Sequence, residues 1–354
     1  MNNKTKIKYS FFALAVLGAS SWFFVSPSLK SVQSIFNQKE KSEKALEKNI
    51  SVKGAEAGEF ENSANITFEQ LLMGSPEAPR KIEEFGNFYV RGKASIVLDA
   101  ETGTILHYQN ARERRAIASL TKIMTAIVVL EEIDDLKNEV VTISRSAAFE
   151  IGTKVGCPNS GYCISNRLRV GEEISAWNLF QAMVMNSAND AAVALAEHVA
   201  GSEKEFAKLM NKKAEELGLR DTHFCNPSGL DEDDNPGGCY STAYDIARIA
   251  VYSLKYDEIW DTMKIDGKEI YSADGEISHR LINTDLLLDQ MPNCTGGKTG
   301  FTYEAGKSLM TGAHHPQDKD IQVIGVILDD YYRWQDMKNL MKWTFQAYRW
   351  PEDI

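Results

Sequence analysis

Residues 118–131 read A-S-L-T-K-I-M-T-A-I-V-V-L-E, and the fold turns on this stretch. From Leu120 to Leu130 it is apolar on nearly every helical face, which places such a helix in the middle of a core rather than on a surface. Ser119 and Lys122 stand three residues apart in its first turn, a spacing that stacks a hydroxyl and an amine on one side of the helix. A lysine at the entrance to a buried helix is costly unless something there requires it. The pair reads as a serine nucleophile with a lysine as its base. The alternative is a helix start whose serine caps the end and whose lysine snorkels outward.

The chain has 354 residues and a formal charge of −11. Its only charges in residues 1–30 are Lys4, Lys6, Lys8 and Lys30, so everything that follows is more acidic still. An acidic body argues against a nucleic-acid partner. No glycine-rich phosphate loop precedes a helix, and there is no internal repeat.

Three lysines precede the uncharged run Tyr9–Val25, the pattern of an export signal. Gly18-Ala19-Ser20 offers a cleavage site, but Trp22-Phe23-Phe24-Val25 continues the apolar run beyond it. Residues 1–25 therefore read as an N-terminal signal or membrane anchor, preferably uncleaved. The flanking lysines hold the amino end in the cytoplasm and place the remainder outside. The expected location is the cell membrane, with a single-pass anchor and an extracytoplasmic body, or secretion if the signal is cleaved. Residues 26–92 are polar and read as a linker. The folded domain is expected over residues 93–350.

Five cysteines suit an exported chain. Cys157 and Cys163 bracket P-N-S-G-Y, and Cys225 and Cys239 bracket a turn-rich segment. Both pairs look like local staples, with Cys294 left over. A metal site would have to use His223, Cys225 and Cys239, but no ligand spacing supports one.

Ala94–Leu98 and Thr104–Tyr108 read as strands joined by a turn, with His107 on a strand face. Val140–Ile143 reads as a short strand. Ala176–Met185 and Ala191–Ala200 are apolar helices separated by Asn186-Ser187-Ala188-Asn189-Asp190, and Ser202–Leu217 is an amphipathic helix. A helix over Thr242–Leu254 and a hairpin over Ile265–Ile277 follow. Gly306–Gly312 and Ile321–Leu328 read as buried strands. Tyr331–Tyr348 reads as a helix with Trp334, Met337, Met341, Phe345 and Tyr348 on one stripe, suited to packing on a sheet.

Three short elements now stand in order: Ser119-x-x-Lys122, Ser187-Ala188-Asn189 and Lys298-Thr299-Gly300. Such a triple marks penicillin-binding proteins and class A β-lactamases. S-L-T-K before Ile123-Met124-Thr125 resembles the nucleophile segment of the D-alanyl-D-alanine carboxypeptidases, the low-molecular-mass penicillin-binding proteins. Asn189-Asp190-Ala191-Ala192 is similar to that family's second motif. Asn226-Pro227-Ser228-Gly229-Leu230 with Ser241-Thr242-Ala243-x-Asp245 resembles its middle region, and Gly297–Thr302 its third motif. The resemblance runs from about Lys93 to Leu328.

The resemblance implies an α/β (α+β) fold of the β-lactamase/DD-peptidase type: an antiparallel sheet with helices on both faces and a helical subdomain. It implies a serine-type carboxypeptidase that trims the terminal D-alanine from peptidoglycan stem peptides through an acyl-enzyme, without metal or cofactor. Ser119 would be the nucleophile, Lys122 its base and Ser187 a proton relay. Asn189, Lys298, Thr299, Gly300 and Phe301 would bind substrate, and the backbone N–H groups of Ser119 and Phe301 would form the oxyanion hole. Gly296, Gly297 and Gly300 would leave room for substrate along the strand. β-Lactam antibiotics would be covalent inhibitors.

Larger family members carry a second, β-rich domain and a C-terminal amphipathic anchor; neither is expected from this sequence, and the N-terminal segment would take the anchor's place. The loop holding Cys157 and Cys163 looks longer than the family's usual connection. Three other readings compete. A β-lactamase favours Ser-Asp-Asn and needs a deacylating glutamate, whereas Ala188 stands in the second motif here. A D,D-endopeptidase acting on cross-links would use the same motifs. A silent wall-binding module would not need all three motifs intact.

Overall fold

The computed structural model describes residues 78–157, 162–231 and 237–351. The expected anchor and most of the expected linker lie outside these residues. Among the described residues no helix is long and apolar enough to cross a membrane.

The strands are β1 (Arg80–Lys81), β2 (Ala94–Asp99), β3 (Ile105–Gln109), β4 (Val140–Thr142), β5 (Glu173–Ser175), β6 (Gly267–Tyr271), β7 (Ser278–Ile282), β8 (Cys294–Thr302), β9 (Gly306–His314), β10 (Gln322–Leu328) and β11 (Tyr348–Arg349). The helices are α1 (Lys122–Glu132), α2 (Arg145–Phe149), α3 (Ala176–Met185), α4 (Asn189–Ala200), α5 (Glu203–Glu216), α6 (Ala243–Ser253), α7 (Asp257–Met263), α8 (Leu287–Gln290) and α9 (Arg333–Ala347). A five-stranded antiparallel sheet runs in the order β3-β2-β10-β9-β8.

The sheet is covered on both faces, which is why β10 is apolar at every position from Val323 to Leu328. Successive side chains point to opposite sides. Val97, Val323 and Ile327 face one way and pack with Met337, Leu340 and Met341 of α9. Ile96, Leu98, Ile324, Val326 and Leu328 belong to the larger cluster that contains α1, α3, α4 and α6. Gly325 sits where α9 comes closest: a Cβ there would lie 2.5 Å from Met341 Cε. In α1 every residue from Lys122 to Val129 is buried, as its all-round apolar surface requires. Ser175, Ser202 and Thr242 cap α3, α5 and α6 by accepting from Asn178 N, Glu205 N and Asp245 N.

Some boundaries differ from the sequence reading. Residues 80–92 belong to the folded body, not to a linker. Arg80 pairs with Arg349 in a two-stranded sheet, Val90 is buried, and Phe85 and Phe88 pack beside it. These apolar residues are too sparse to show a period. The second strand of the β6–β7 hairpin starts at Ser278 because a loop intervenes, closed by Ser272 N donating to Ile277 O at 2.9 Å. Helix α7 was not legible: it has only 7 residues.

Cys157–Cys163 and Cys225–Cys239 are disulfides, and Cys294 is a free thiol. The bonded Cys225 and Cys239 have no thiolates to offer a metal. His107 is a strand-face residue, its Nε2 2.8 Å from Ser95 Oγ.

One buried ion pair ties the β6–β7 hairpin to the loop before β5. His279 Nε2 lies 2.6 Å from Glu172 Oε1, and its Nδ1 lies 2.9 Å from Asn166 O. Burial opposes the charged imidazole, but the bonds to Glu172 and Asn166 outweigh it and raise the His279 pKa. A raised native pKa gives stability that is full below the unfolded histidine value of about 6.5 and is lost as pH rises through the native value. His279→Ala leaves Glu172 buried without its counter-charge. It is expected to lower stability in urea titrations at pH 6 by about 3 kcal/mol, and by less at pH 9.

Candidate active site

The chain enters α1 through a 3-10 turn, Ala118–Thr121, and no side chain caps either start. The capping alternative for Ser119 therefore does not hold. Lys122 does not snorkel either: it is buried, and its Nζ lies 3.0 Å from Ser119 Oγ, 2.7 Å from Asn189 Oδ1 and 2.6 Å from Ser228 O. Ser119 itself is half-buried, at the edge of the cleft.

Asn189 is the first residue of α4. Its Nδ2 donates to Ile151 O at 2.8 Å, which turns its Oδ1 toward Lys122. Its backbone N donates to Thr153 O at 2.7 Å, and Asn186 Nδ2 donates to Lys154 O at 2.9 Å. The loop after α2 thus holds the second motif through its own carbonyls. Ser187 lies in the left-handed region, at φ 57°, a conformation that costs a non-glycine residue roughly 1–2 kcal/mol. That turn presents its hydroxyl to the third motif: Lys298 Nζ donates to Ser187 Oγ at 2.8 Å and to Thr299 O at 3.1 Å. Thr299 Oγ1 lies 2.7 Å from Thr284 Oγ1. Gly300 is buried and Phe301 is exposed at the rim.

Both amines are buried, and both are shifted down. Burial, helped by the nearby Lys298 cation, pushes the Lys122 pKa well below its ordinary value against the pull of Asp190 and Glu150. Burial also lowers Lys298 to about 7, with Arg333 adding to the shift and Asp285 opposing it.

The three glycines of β8 have another reason than the one the sequence suggested. Each meets protein. A Cβ on Gly296 would lie 2.7 Å from Met263 Cβ, on Gly297 2.6 Å from Asp285 Oδ2, and on Gly300 2.9 Å from Ile117 O. They let β8 press against α7, against Asp285 and against the turn that carries Ser119.

Three further groups were not singled out by the motifs. The Ser228 carbonyl is a partner of Lys122, but a backbone oxygen leaves no mark in a sequence beyond its place in the N-P-S-G-L segment. Arg333 has buried Nε and Nη1 atoms without hydrogen-bond partners, and Asp285 has a buried Oδ2 in the same state. Both act on the charge of Lys298, and burial raises the Asp285 carboxyl to about 6. Neither lies in a recognisable motif.

The arrangement joins a hydroxyl, a buried amine able to take its proton, and a second buried amine with a hydroxyl on the far side of the same cleft. It has counterparts among known proteins. D-alanyl-D-alanine carboxypeptidase DacF of Bacillus subtilis is 37% identical over 237 residues, which cover 66% of this chain and 56% of that protein. A D-alanyl-D-alanine endopeptidase of Pseudomonas aeruginosa is 30% identical over 251 residues, covering 71% of this chain and 76% of that one. The crystal structure of the Streptomyces K15 DD-transpeptidase superposes with a TM-score of 0.65 at 26% identity, covering 74% of this chain and 100% of that chain. The chain thus spans little more than half the length of the Bacillus relative. Residues 82–331, which hold all three motifs and the sheet that joins them, match the peptidase S11 model, and on that match the chain belongs to the D-alanyl-D-alanine carboxypeptidase family.

Proposed function

We propose that this protein is a serine-type D-alanyl-D-alanine carboxypeptidase that removes the terminal D-alanine of peptidoglycan stem peptides. The observation that carries the reading is the coordination of Lys122. A neutral amine has two N–H donors and one lone pair. Two carbonyl-type oxygens, Asn189 Oδ1 and Ser228 O, accept those donors, and the lone pair is left for the Ser119 hydroxyl.

In the proposed reaction Ser119 Oγ attacks the carbonyl between the two terminal D-alanines while Lys122 takes the hydroxyl proton. The C–N bond breaks, and the proton passes by way of Ser187 to the departing amine. Water then hydrolyses the acyl-enzyme and releases the shortened peptide. Lys298 and Thr299 hold the substrate carboxylate, with the Arg333 guanidinium reinforcing the positive field. The close packing of Gly300 on Ile117 and Ala118 supports an oxyanion hole built from the backbone N–H groups of Ser119 and Phe301. Penicillins would acylate Ser119 in the same way. The lysine-flanked apolar N-terminus would tether the enzyme to the membrane, with the catalytic body outside.

Mass spectrometry of a pentapeptide muropeptide incubated with the full chain tests the reading. Loss of one alanine, abolished in Ser119→Ala, is the expected result, and an unchanged muropeptide would refute it. A second reading, endopeptidase action on D-alanine cross-links, is favoured by the endopeptidase name of the Pseudomonas relative. Dimeric cross-linked muropeptides in the same assay separate the two.

The charge states give a pH profile. Lys122 has to be neutral, so the acid limb of kcat/KM follows its depressed pKa. Lys298 has to be charged to hold a carboxylate, so kcat/KM is expected to fall as pH rises past about 7. A bound carboxylate raises the Lys298 pKa, so kcat is expected to hold to higher pH than kcat/KM. Steady-state assays from pH 5 to 10 check this, and a kcat/KM still rising above pH 9 would contradict it.

A further inference from the structure

Strand β8 gives the substrate a direction. On the proposed reading the carboxylate end sits at Lys298 and Thr299, and the reacting carbonyl sits between Ser119 and the backbone of Phe301. The amino-terminal part of the stem peptide must then run on past Thr302, toward the turn between β8 and β9. Four residues separate the cleaved bond from the sugar that carries the peptide. At roughly 3.4 Å per extended residue they span about 14 Å, which carries the sugar beyond that turn.

The surface it reaches is aromatic. Tyr303, in the turn, is 99% exposed, and Phe301 is 55% exposed. Their rings stand edge to face, 5.9 Å apart. Across β9, Lys307 pairs with Phe301 in register and holds its ammonium 3.8 Å from the centre of the Tyr331 ring. Tyr331 and Tyr332 follow, 72% and 52% exposed with rings 5.2 Å apart. Arg91 lies over Tyr332 at 3.9 Å. A backbone bond from Asp330 N to Lys307 O, 2.7 Å, ties the Tyr331 loop to β9. Exposed rings grouped in this way are uncommon on a surface with no partner to meet.

We propose that Phe301, Tyr303, Tyr331 and Tyr332 form a platform for the glycan strand that carries the stem peptide. The proposal rests on the peptidase reading for the direction of the substrate. Sugar rings present flat faces of C–H groups that stack on aromatic rings, and their hydroxyl and acetamide groups match the tyrosine hydroxyls, Lys307 and Arg91. Three of the four rings carry a polar handle, and Glu304, next to Tyr303 in the chain, is exposed. That mixture suits a polar polymer better than an anionic bilayer. The platform would hold the enzyme on the strand and present successive stem peptides to the cleft.

The test uses the full chain and the double variant Tyr303→Ala/Tyr331→Ala. Three quantities are measured: co-sedimentation with wall glycan stripped of its peptides, turnover of a soluble pentapeptide, and turnover of pentapeptides in intact wall. The native chain is expected to sediment with the stripped glycan. The double variant is expected to bind it about tenfold more weakly, the effect of losing two ring contacts, and to act more slowly on intact wall. Unchanged turnover of the soluble pentapeptide shows that the variant is folded. Equal sedimentation of the two proteins overturns the platform, as does native binding to phosphatidylglycerol vesicles without binding to glycan. Tyrosine-dependent sedimentation by a protein inactive on the soluble pentapeptide would instead uphold the platform and refute the peptidase reading.

Discussion

Lys122→Arg is expected to slow acylation by penicillin about 10³-fold or more, the full contribution of a general base. The substitution keeps a long cationic side chain and removes only the ability to be neutral, since a guanidinium stays protonated in proteins. In the native protein burial and the Lys298 cation drive the amine toward its neutral form. Its three oxygen neighbours at 2.6–3.0 Å suit a small head group, not a planar fork. A buried, permanently charged arginine also strains the site, so Lys122→Met serves as the companion variant. It removes the base without adding a charge. Both should lose acylation, read by stopped-flow with a fluorescent penicillin, and Lys122→Met should keep its native near-UV circular dichroism. Rapid acylation by either variant would mean that another group takes the Ser119 proton.

Gly229→Ala is expected to do nearly as much damage from a residue that carries no chemistry. Gly229 has φ +77°, and a Cβ there would lie 2.0 Å from Ala118 O and 2.6 Å from Thr121 Oγ1. The first atom is backbone and cannot swing away. Either the turn before Ser119 moves or the Ser228–Gly229 peptide does, and each shift breaks the contact between Ser228 O and Lys122. A displacement of about 1 Å at such a site can cost about 10²-fold in rate. The backbone conformation alone costs an alanine roughly 1–2 kcal/mol. Acylation kinetics and urea unfolding of Gly229→Ala should show both losses. Ser228→Ala makes the contrast: it keeps the carbonyl and gives up only the hydroxyl contacts to Asn226 and Leu230 N. Its acylation rate should stay close to the native one.

These two expectations mark where the sequence was informative. Ser119, Lys122, Ser187, Asn189, Lys298 and Thr299 were legible because side-chain chemistry recurs at fixed short spacings, and the structure brings all of them into one cleft. The central helix was legible because its surface is apolar all round. The two-faced sheet was legible because V-I-G-V-I-L leaves no polar side to face water. What stayed hidden acts through the backbone or through distance. The Ser228, Ile151 and Thr153 carbonyls belong to every residue type alike. Asp285 and Arg333 act on Lys298 from segments with no pattern of their own. The β1–β11 pairing joins strands of only 2 residues each, too short for alternation to register. The glycines of β8 were noticed but misread, since a missing side chain says that something approaches closely without saying what.

The order of strands in the main sheet has a consequence for how the protein comes into being. β2 lies beside β10, pairing Ala94 with Leu328 and Asp99 with Val323, and Ile82 N donates to Ala347 O at 2.8 Å. A ribosome delivers these partners at opposite ends of the message. Until the last quarter of the polypeptide has emerged, α6 lacks β10 to pack on, and the turn that carries Ser119 lacks β8 beside it. Contacts of such long range form slowly. The cleft that joins Ser119 and Ser187 to Lys298 is therefore complete only once synthesis is all but finished.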